Sequence, residues 1–166
     1  EITTRLVGSE MCIRDRGAYN DKLVLQLNAD YLSVLSEQGE LVPQARELLD
    51  YLKSRSYRLH IISNGFKEVQ FKKMKSAGIE NYFEKIILSD EVGVNKPHPD
   101  IFRYALNKTG SSKNTSLMIG DNYDADILGA MRSGLDQVYF NPLQKQISDE
   151  FPTYEVQTLS EICDIL

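Results

Sequence analysis

Three polar clusters in the sequence each follow an apolar run: Ser63-Asn64-Gly65, Lys96 before Pro97, and Asp121 at the head of GDNYDAD (120–126). A serine hydroxyl next to a glycine lets backbone N–H groups face an anion with no side chain in the way, so SNG makes a phosphate cradle. Lys96 would bring a fixed positive charge to a transferring phosphoryl group, or to the carboxylate that attacks it. Asp121 and Asp126 offer the hard oxygen ligands that hold Mg2+ directly or through water. Each cluster also has a plainer use. Ser-Asn-Gly is an ordinary turn, lysines are mostly solvated, and Asp121, Asn122 or Asp124 would serve as a helix cap. What joins the three is their place at the carboxyl ends of strands, where an open parallel sheet lines its ligand crevice.

The elements that must position them alternate. From Leu41 onward, short Ile-, Val- and Leu-rich runs take turns with helical patterns, which predicts an α/β fold, Rossmann-like, with a mainly parallel sheet. A helix is expected from Pro43 to about Arg55, with Ala45, Leu48, Leu49 and Leu52 on one face and Pro43 in its first turn. Arg58 to Ser63 reads as a buried strand. Lys67 to Ala77 reads as a helix with Val69 and Met74 inward, stopped by Gly78. Lys85 to Ser89 gives a second strand, Pro99 opens a helix closed by Gly110, and Ser116 to Gly120 gives a third strand. A helix is expected from about Asp124 to Gly134, and Gln137 to Phe140 is a fourth strand. Tyr154 to Gln157 adds an edge strand, and Ser160 caps a last helix carrying Ile162, Cys163 and Leu166.

Composition narrows the function classes. With 42% apolar and 26% charged residues, the 166-residue chain reads as one ordinary globular domain. A net charge of -5 argues against nonspecific nucleic-acid binding, which depends on Lys and Arg neutralising phosphates. Cys12 and Cys163 stand near opposite ends in no metal-ligand spacing, so neither a disulfide framework nor a zinc site is expected, and a reducing cytoplasm fits. No apolar run approaches the ~20 residues that span a bilayer, and no signal-peptide pattern opens the chain. His60, inside a strand pattern, reads as structural, and His98 as a loop histidine. Phe66, Tyr82 and Phe83 read as core or rim packing.

Taken in order and each after a strand, SNG, KP and GDNYDAD resemble the second, third and fourth motifs of the haloacid dehalogenase-type hydrolases. The stretches SNGFKEVQ, GVNKPHPDIF and MIGDNYDADILGA are most similar to the house-cleaning pyrimidine 5′-nucleotidases within that superfamily. The resemblance covers about Tyr19 to the end. It implies a three-layer α/β/α core and Mg2+-dependent hydrolysis of a small phosphomonoester, a pyrimidine nucleoside monophosphate. A nucleophilic aspartate takes the phosphoryl group, and water activated by a second aspartate two residues on releases it. Carried over residue by residue, Ser63, Asn64 and Gly65 would bind phosphate, and Lys96 would hold phosphate and nucleophile together. Asp121 would ligate Mg2+, with Asp126 supporting through water.

The family's DxDxT-like first motif is absent from this sequence. Asp15 lies in CIRDRG, and Asp21 and Asp30 fall at the start of and within a helical pattern rather than after a strand. Residues 1–16 lack any period and read as a non-native or disordered leader. Residues 17–40, with a helical pattern over Tyr19 to Leu35, read as the remnant of a helical cap, and 41–166 as the hydrolase core. In the family the first strand lies between those carrying the second and fourth motifs, so its absence removes two ladders of pairing. A chain lacking it is expected to be inactive alone and unstable, unless a substitute such as Ile2 to Val7 takes that place. Two alternatives stand beside this reading. One is a 2-haloacid dehalogenase, which does not need Mg2+ and which GDNYDAD argues against. The other is a noncatalytic module holding an anion with Ser63 and Lys96.

Overall fold

Leu59-His60-Ile61-Ile62-Ser63 forms β1 (Leu59–Ser63), an apolar, β-branched run suited to a sheet covered on both faces. The computed structural model describes residues 39–147 and 150–166, together with Gln26, Leu27 and Asp30. β1 pairs in parallel with β2 (Phe83–Leu88), Ile61 opposite Ile86 and Ser63 opposite Leu88. β2 starts earlier than its sequence suggests and stops before Ser89, which opens the single helical turn α3 (Ser89–Val92). A second ladder consists of β3 (Leu117–Gly120), β4 (Asp136–Phe140) and β5 (Tyr154–Val156), again parallel, with Ile119 opposite Val138 and Val138 opposite Tyr154.

The helices are α1 (Ala45–Ser54), α2 (Lys67–Ala77), α4 (Pro99–Thr109), α5 (Gly129–Arg132) and α6 (Ile162–Ile165). α2 and α4 stop where the sequence places a glycine: Gly78 and Gly110 cap them with φ of 63° and 66°. Three expectations are corrected. Pro43 lies in a turn ahead of α1, and Gln44, in the left-handed region with φ 67°, is the cap. The helix expected from Asp124 begins as a π-helical turn, Tyr123–Leu128, before continuing as α5. At the carboxyl end Thr158, not Ser160, is the cap. Its backbone N–H donates to Glu161 Oε1 at 2.9 Å, half of a capping box.

Two apolar clusters sandwich the strands. On one side Ile87, Ile101, Phe102, Ala105, Ala130 and Leu135 are buried, with Ile62 and Met118 packed against them. On the other, Leu48, Leu52, Val138, Val156 and Ile162 are buried, with Leu59, Leu117 and Ile119 against them. Each cluster draws on both ladders, so the ladders share one layer between two layers of helix.

The layer is interrupted between β1 and β3. Among the described residues β1 pairs only with β2, and β3 only with β4. Between them lies a cavity of about 850 Å³, lined by Leu59 to Ile62 on one side and Leu117 to Gly120 on the other. His60 also lines it, and both imidazole nitrogens are buried with no hydrogen-bond partner among the described residues. Burial, then the neighbouring Arg58 charge, lowers the His60 pKa. Gln26, Leu27 and Asp30 are helical, within the stretch read as a helix. The leader 1–16, the Ile2 to Val7 segment, Cys12 and the rest of Tyr19 to Leu35 lie outside the described residues. Among the described residues no helix is long and apolar enough to cross a membrane.

Candidate active site

β1 ends at Ser63 and the chain turns at once. Ser63 Oγ accepts the Gly65 N–H at 3.0 Å, closing the SNG turn and leaving the hydroxyl proton to donate elsewhere. α2 follows with Phe66 as its cap, a residue whose side chain makes no capping bond. The first N–H groups of an 11-residue helix therefore open beside Ser63 without a side-chain cap.

Lys96 reaches this strand end from the loop between α3 and α4. Its Nζ donates to Ile62 O at 2.8 Å and to Asp126 Oδ1 at 2.6 Å. The two side chains are 11% and 8% exposed, so Lys96 is not the solvated surface lysine of the plainer reading. Its backbone is held as well: Asn64 Nδ2 donates to Lys96 O at 3.0 Å, and Asn64 Oδ1 accepts the Lys96 N–H at 2.8 Å. A proline follows at once, through a cis Lys96-Pro97 peptide.

The third cluster follows β3. Asn122 is the cap: its Oδ1 accepts the Ala125 N–H at 2.9 Å, which releases Asp121 and Asp124 from that duty. Asp126 faces inward. Its Oδ2 accepts the Asn122 N–H at 3.2 Å while Oδ1 meets Lys96. Gly120 makes room for it, because a Cβ there would lie 2.4 Å from Asp126 Cβ. Asp121 is exposed, and no hydrogen bond or ion pair holds its carboxylate among the described residues. Nearby, burial and then the negative charges of Glu155, Asp121 and Asp124 raise the pKa of Tyr139.

Mg2+ binds through one or two carboxylates, several waters and substrate phosphate oxygens rather than a complete protein cage. The donors fit that pattern. Asp121 offers an exposed carboxylate with no partner among the described residues, and Asp126 follows five positions on. Among the described residues no group of three or more His, Cys, Asp or Glu is placed to hold a metal.

Ser63, Asn64, Gly65, Lys96 and Asp126 are thus linked directly or through one another, and Asp121 follows β3. His98 is not among them. It caps α4, its Nδ1 accepting the Asp100 N–H at 3.2 Å. Phe66 stands 48% exposed at the rim, and Tyr82 Oη donates to Asp50 away from the cluster. Two contributors were not legible beforehand. The Ile62 carbonyl is backbone and leaves no trace in sequence, and Asn122 was one of three equivalent capping candidates.

Comparison with known proteins shows the family. A sequence model described as haloacid dehalogenase-like hydrolase matches residues 7–140. The chain is 32% identical over 143 residues to the pyrimidine 5′-nucleotidase YjjG of Escherichia coli, covering 85% of this chain and 63% of that one. It is 39% identical over 99 residues to a glyceraldehyde 3-phosphate phosphatase of Methanothermobacter thermautotrophicus, covering 60% and 44%. The crystal structure of the HAD-hydrolase YfnB of Bacillus subtilis, bound to magnesium, superposes with a TM-score of 0.81 at 30% identity, covering 93% of this chain and 67% of that one. The chain thus spans under two thirds of the length of these curated relatives. With the family match running through all three motif clusters, the chain belongs to the haloacid dehalogenase-like hydrolases.

Proposed function

We propose that this chain provides the phosphate- and metal-binding part of a Mg2+-dependent phosphomonoester hydrolase acting on pyrimidine nucleoside monophosphates. The observation that carries the reading is the buried Lys96–Asp126 pair, 2.6 Å apart, with Lys96 also bonded to Ile62 and Asn64 at the end of β1. Burying two charges costs several kcal/mol each unless geometry and hydrogen bonds compensate, so a pair placed at a crevice is more readily understood as chemistry than as stabilisation.

In this reading Ser63 O–H and the N–H groups opening α2 bind the phosphate oxygens. Lys96 offsets the charge that develops on the phosphoryl group and keeps the attacking carboxylate ionised. Asp121 ligates Mg2+, with Asp126 orienting the neighbouring groups. Mg2+, when bound, polarises the phosphoryl oxygens and neutralises their charge. The nucleophile is an aspartate that this sequence does not supply in a DxDxT setting. It takes the phosphoryl group as the alcohol leaves, and water then releases phosphate. The chain alone is accordingly inactive.

The nucleotide preference draws on the similarity to YjjG, which extends over 85% of the chain. The higher identity to a glyceraldehyde 3-phosphate phosphatase over 99 residues favours a second reading, a triose phosphate substrate. The test is Mg2+-dependent phosphate release from dUMP, glyceraldehyde 3-phosphate and p-nitrophenyl phosphate. The chain is assayed beside a version extended by an apolar strand ending in DxD. Turnover by the extended version only, lost in Asp121→Ala, is the expected result, and the faster natural substrate decides between the readings. Turnover by the chain as it stands would sink the assignment of the nucleophile. A metal-independent reaction would sink the role of Asp121.

A further inference from the structure

We propose that Asn64 is a positioning residue for Lys96 and that its side chain does not contact the phosphate. The consequence for binding rests on the phosphate-site reading above, while the geometry stands on hydrogen bonds alone. A side-chain amide presents an acceptor oxygen and a donor nitrogen. In Asn64 both are directed at the two backbone groups of one residue, Oδ1 at the Lys96 N–H (2.8 Å) and Nδ2 at the Lys96 carbonyl (3.0 Å). The amide orientation is forced, because a flip would set nitrogen against N–H and oxygen against C=O.

The same strand end grips Lys96 twice. Asn64, one residue after Ser63, clamps its backbone, and the carbonyl of Ile62, one residue before Ser63, accepts from its ammonium at 2.8 Å. A lysine side chain loses much rotamer freedom when it is fixed, and the clamp makes that loss part of folding rather than of ligand binding. Ser63 and Asn64 therefore divide the work. The serine hydroxyl accepts from Gly65 within the cradle, and the asparagine faces the lysine loop.

The test is a double-mutant cycle on the full chain, with inorganic phosphate as probe and calorimetry as readout. Asn64→Ala is expected to weaken binding about tenfold, the loss that attends a charge-assisted hydrogen bond from a misplaced Lys96 ammonium to phosphate. In a Lys96→Ala background the same change should alter binding less than about twofold, since both act through one ammonium. A loss of about tenfold in both backgrounds would mean that Asn64 touches the phosphate itself and would overturn the proposal. A second measurement needs no ligand. The Lys96 ammonium, held by Ile62 O and Asp126, should give a protected nitrogen resonance that Asn64→Ala shifts or broadens while that of Lys108, paired with Glu91, stays put. An unmoved Lys96 resonance overturns the proposal too. Asn64→Leu keeps the shape and adds no charge but loses donor and acceptor, and gives the same reading if the alanine variant does not fold. Failure of the unaltered chain to bind phosphate would count against the phosphate-site reading instead and leave the resonance to decide the clamp.

Discussion

Asp121 and Asp126 sit five positions apart on one segment, yet their surroundings predict opposite costs of replacement. Asp126 is 5% exposed and is the ion partner of Lys96. Asp126→Asn leaves a nearly buried ammonium uncompensated, and denaturant unfolding should register a loss of about 3 kcal/mol. Replacing both members, Lys96→Met with Asp126→Leu, should recover most of that loss, because an apolar pair of similar volume avoids the desolvation. Asp121→Ala, at an exposed carboxylate, should change stability by less than about 0.5 kcal/mol while removing any Mg2+-dependent activity of the extended chain. Equal losses of stability from the two replacements would contradict this division. A third change acts at a distance from charge. Gly120→Ala would force a methyl to 2.4 Å from Asp126 Cβ, and an overpacking cost of about 1–3 kcal/mol is expected in the same assay. That both positions carry carboxylates was readable from their residue types. The pairing of Asp126 with Lys96 was not, because it depends on how a loop 30 residues away folds back.

Element types were legible wherever hydrophobic period and a terminator agreed. α4 has both, with Pro99 at its first turn and Gly110 past its last, and the helix spans the residues between. The π-helical turn at Tyr123–Leu128 left no such signal. There Asn122 O accepts from Asp126 N at 2.8 Å and from Ile127 N at 3.4 Å, and the Asp126 carboxylate is held by Lys96 and by the Asn122 N–H. A hydropathy period read over one turn does not distinguish a π-helical turn from ordinary helix. The cap at Thr158 was missed because three hydroxyl or acidic residues crowd that start and only the Glu161 contact selects one. β1 carries a testable cost. His60 has a pKa lowered by burial and by Arg58, so the unfolded chain takes up its proton at a higher pH than the folded one. The stability contributed by keeping His60 neutral is therefore complete above the unfolded value near 6.5 and is lost as pH falls below it. His60→Leu, which removes two buried nitrogens without partners among the described residues, should stabilise the chain by about 1 kcal/mol at pH 7.5 and by more at pH 5.5. Thermal unfolding at the two pH values checks this, and an equal effect at both would remove His60 as the acid-sensitive group.

At the scale of the whole molecule, the consequential feature is that two parallel ladders share one layer without pairing to each other among the described residues. Their facing edges, β1 and β3, carry backbone N–H and C=O groups, and each such group left unpaired and away from water costs about as much as a lost hydrogen bond. The cavity of about 850 Å³ between them is lined by both strands and by apolar side chains from both helical layers, Leu48 and Leu52 on one side and Phe102 and Ala105 on the other. Open backbone edges on two sides and apolar side chains above and below suit an extended segment that is apolar on both faces. Its carboxyl end would emerge beside Ser63, Lys96 and Asp121, where an acidic residue would meet the lysine. An apolar synthetic peptide of strand length ending in Asp-x-Asp should therefore raise the thermal midpoint of the chain in a saturable way. At a hundredfold excess over its dissociation constant the gain should reach about 2.7 kcal/mol. A peptide of the same composition with its two aspartates moved to the middle should give no saturable shift, since an unpaired carboxylate would then face a helical layer. If the peptide ending in Asp-x-Asp also leaves the midpoint unchanged, the facing edges are already satisfied and the instability expected of this chain must be abandoned. If it binds, Lys96→Met should weaken it most when the final aspartate is present, placing the acidic end of the strand at the lysine.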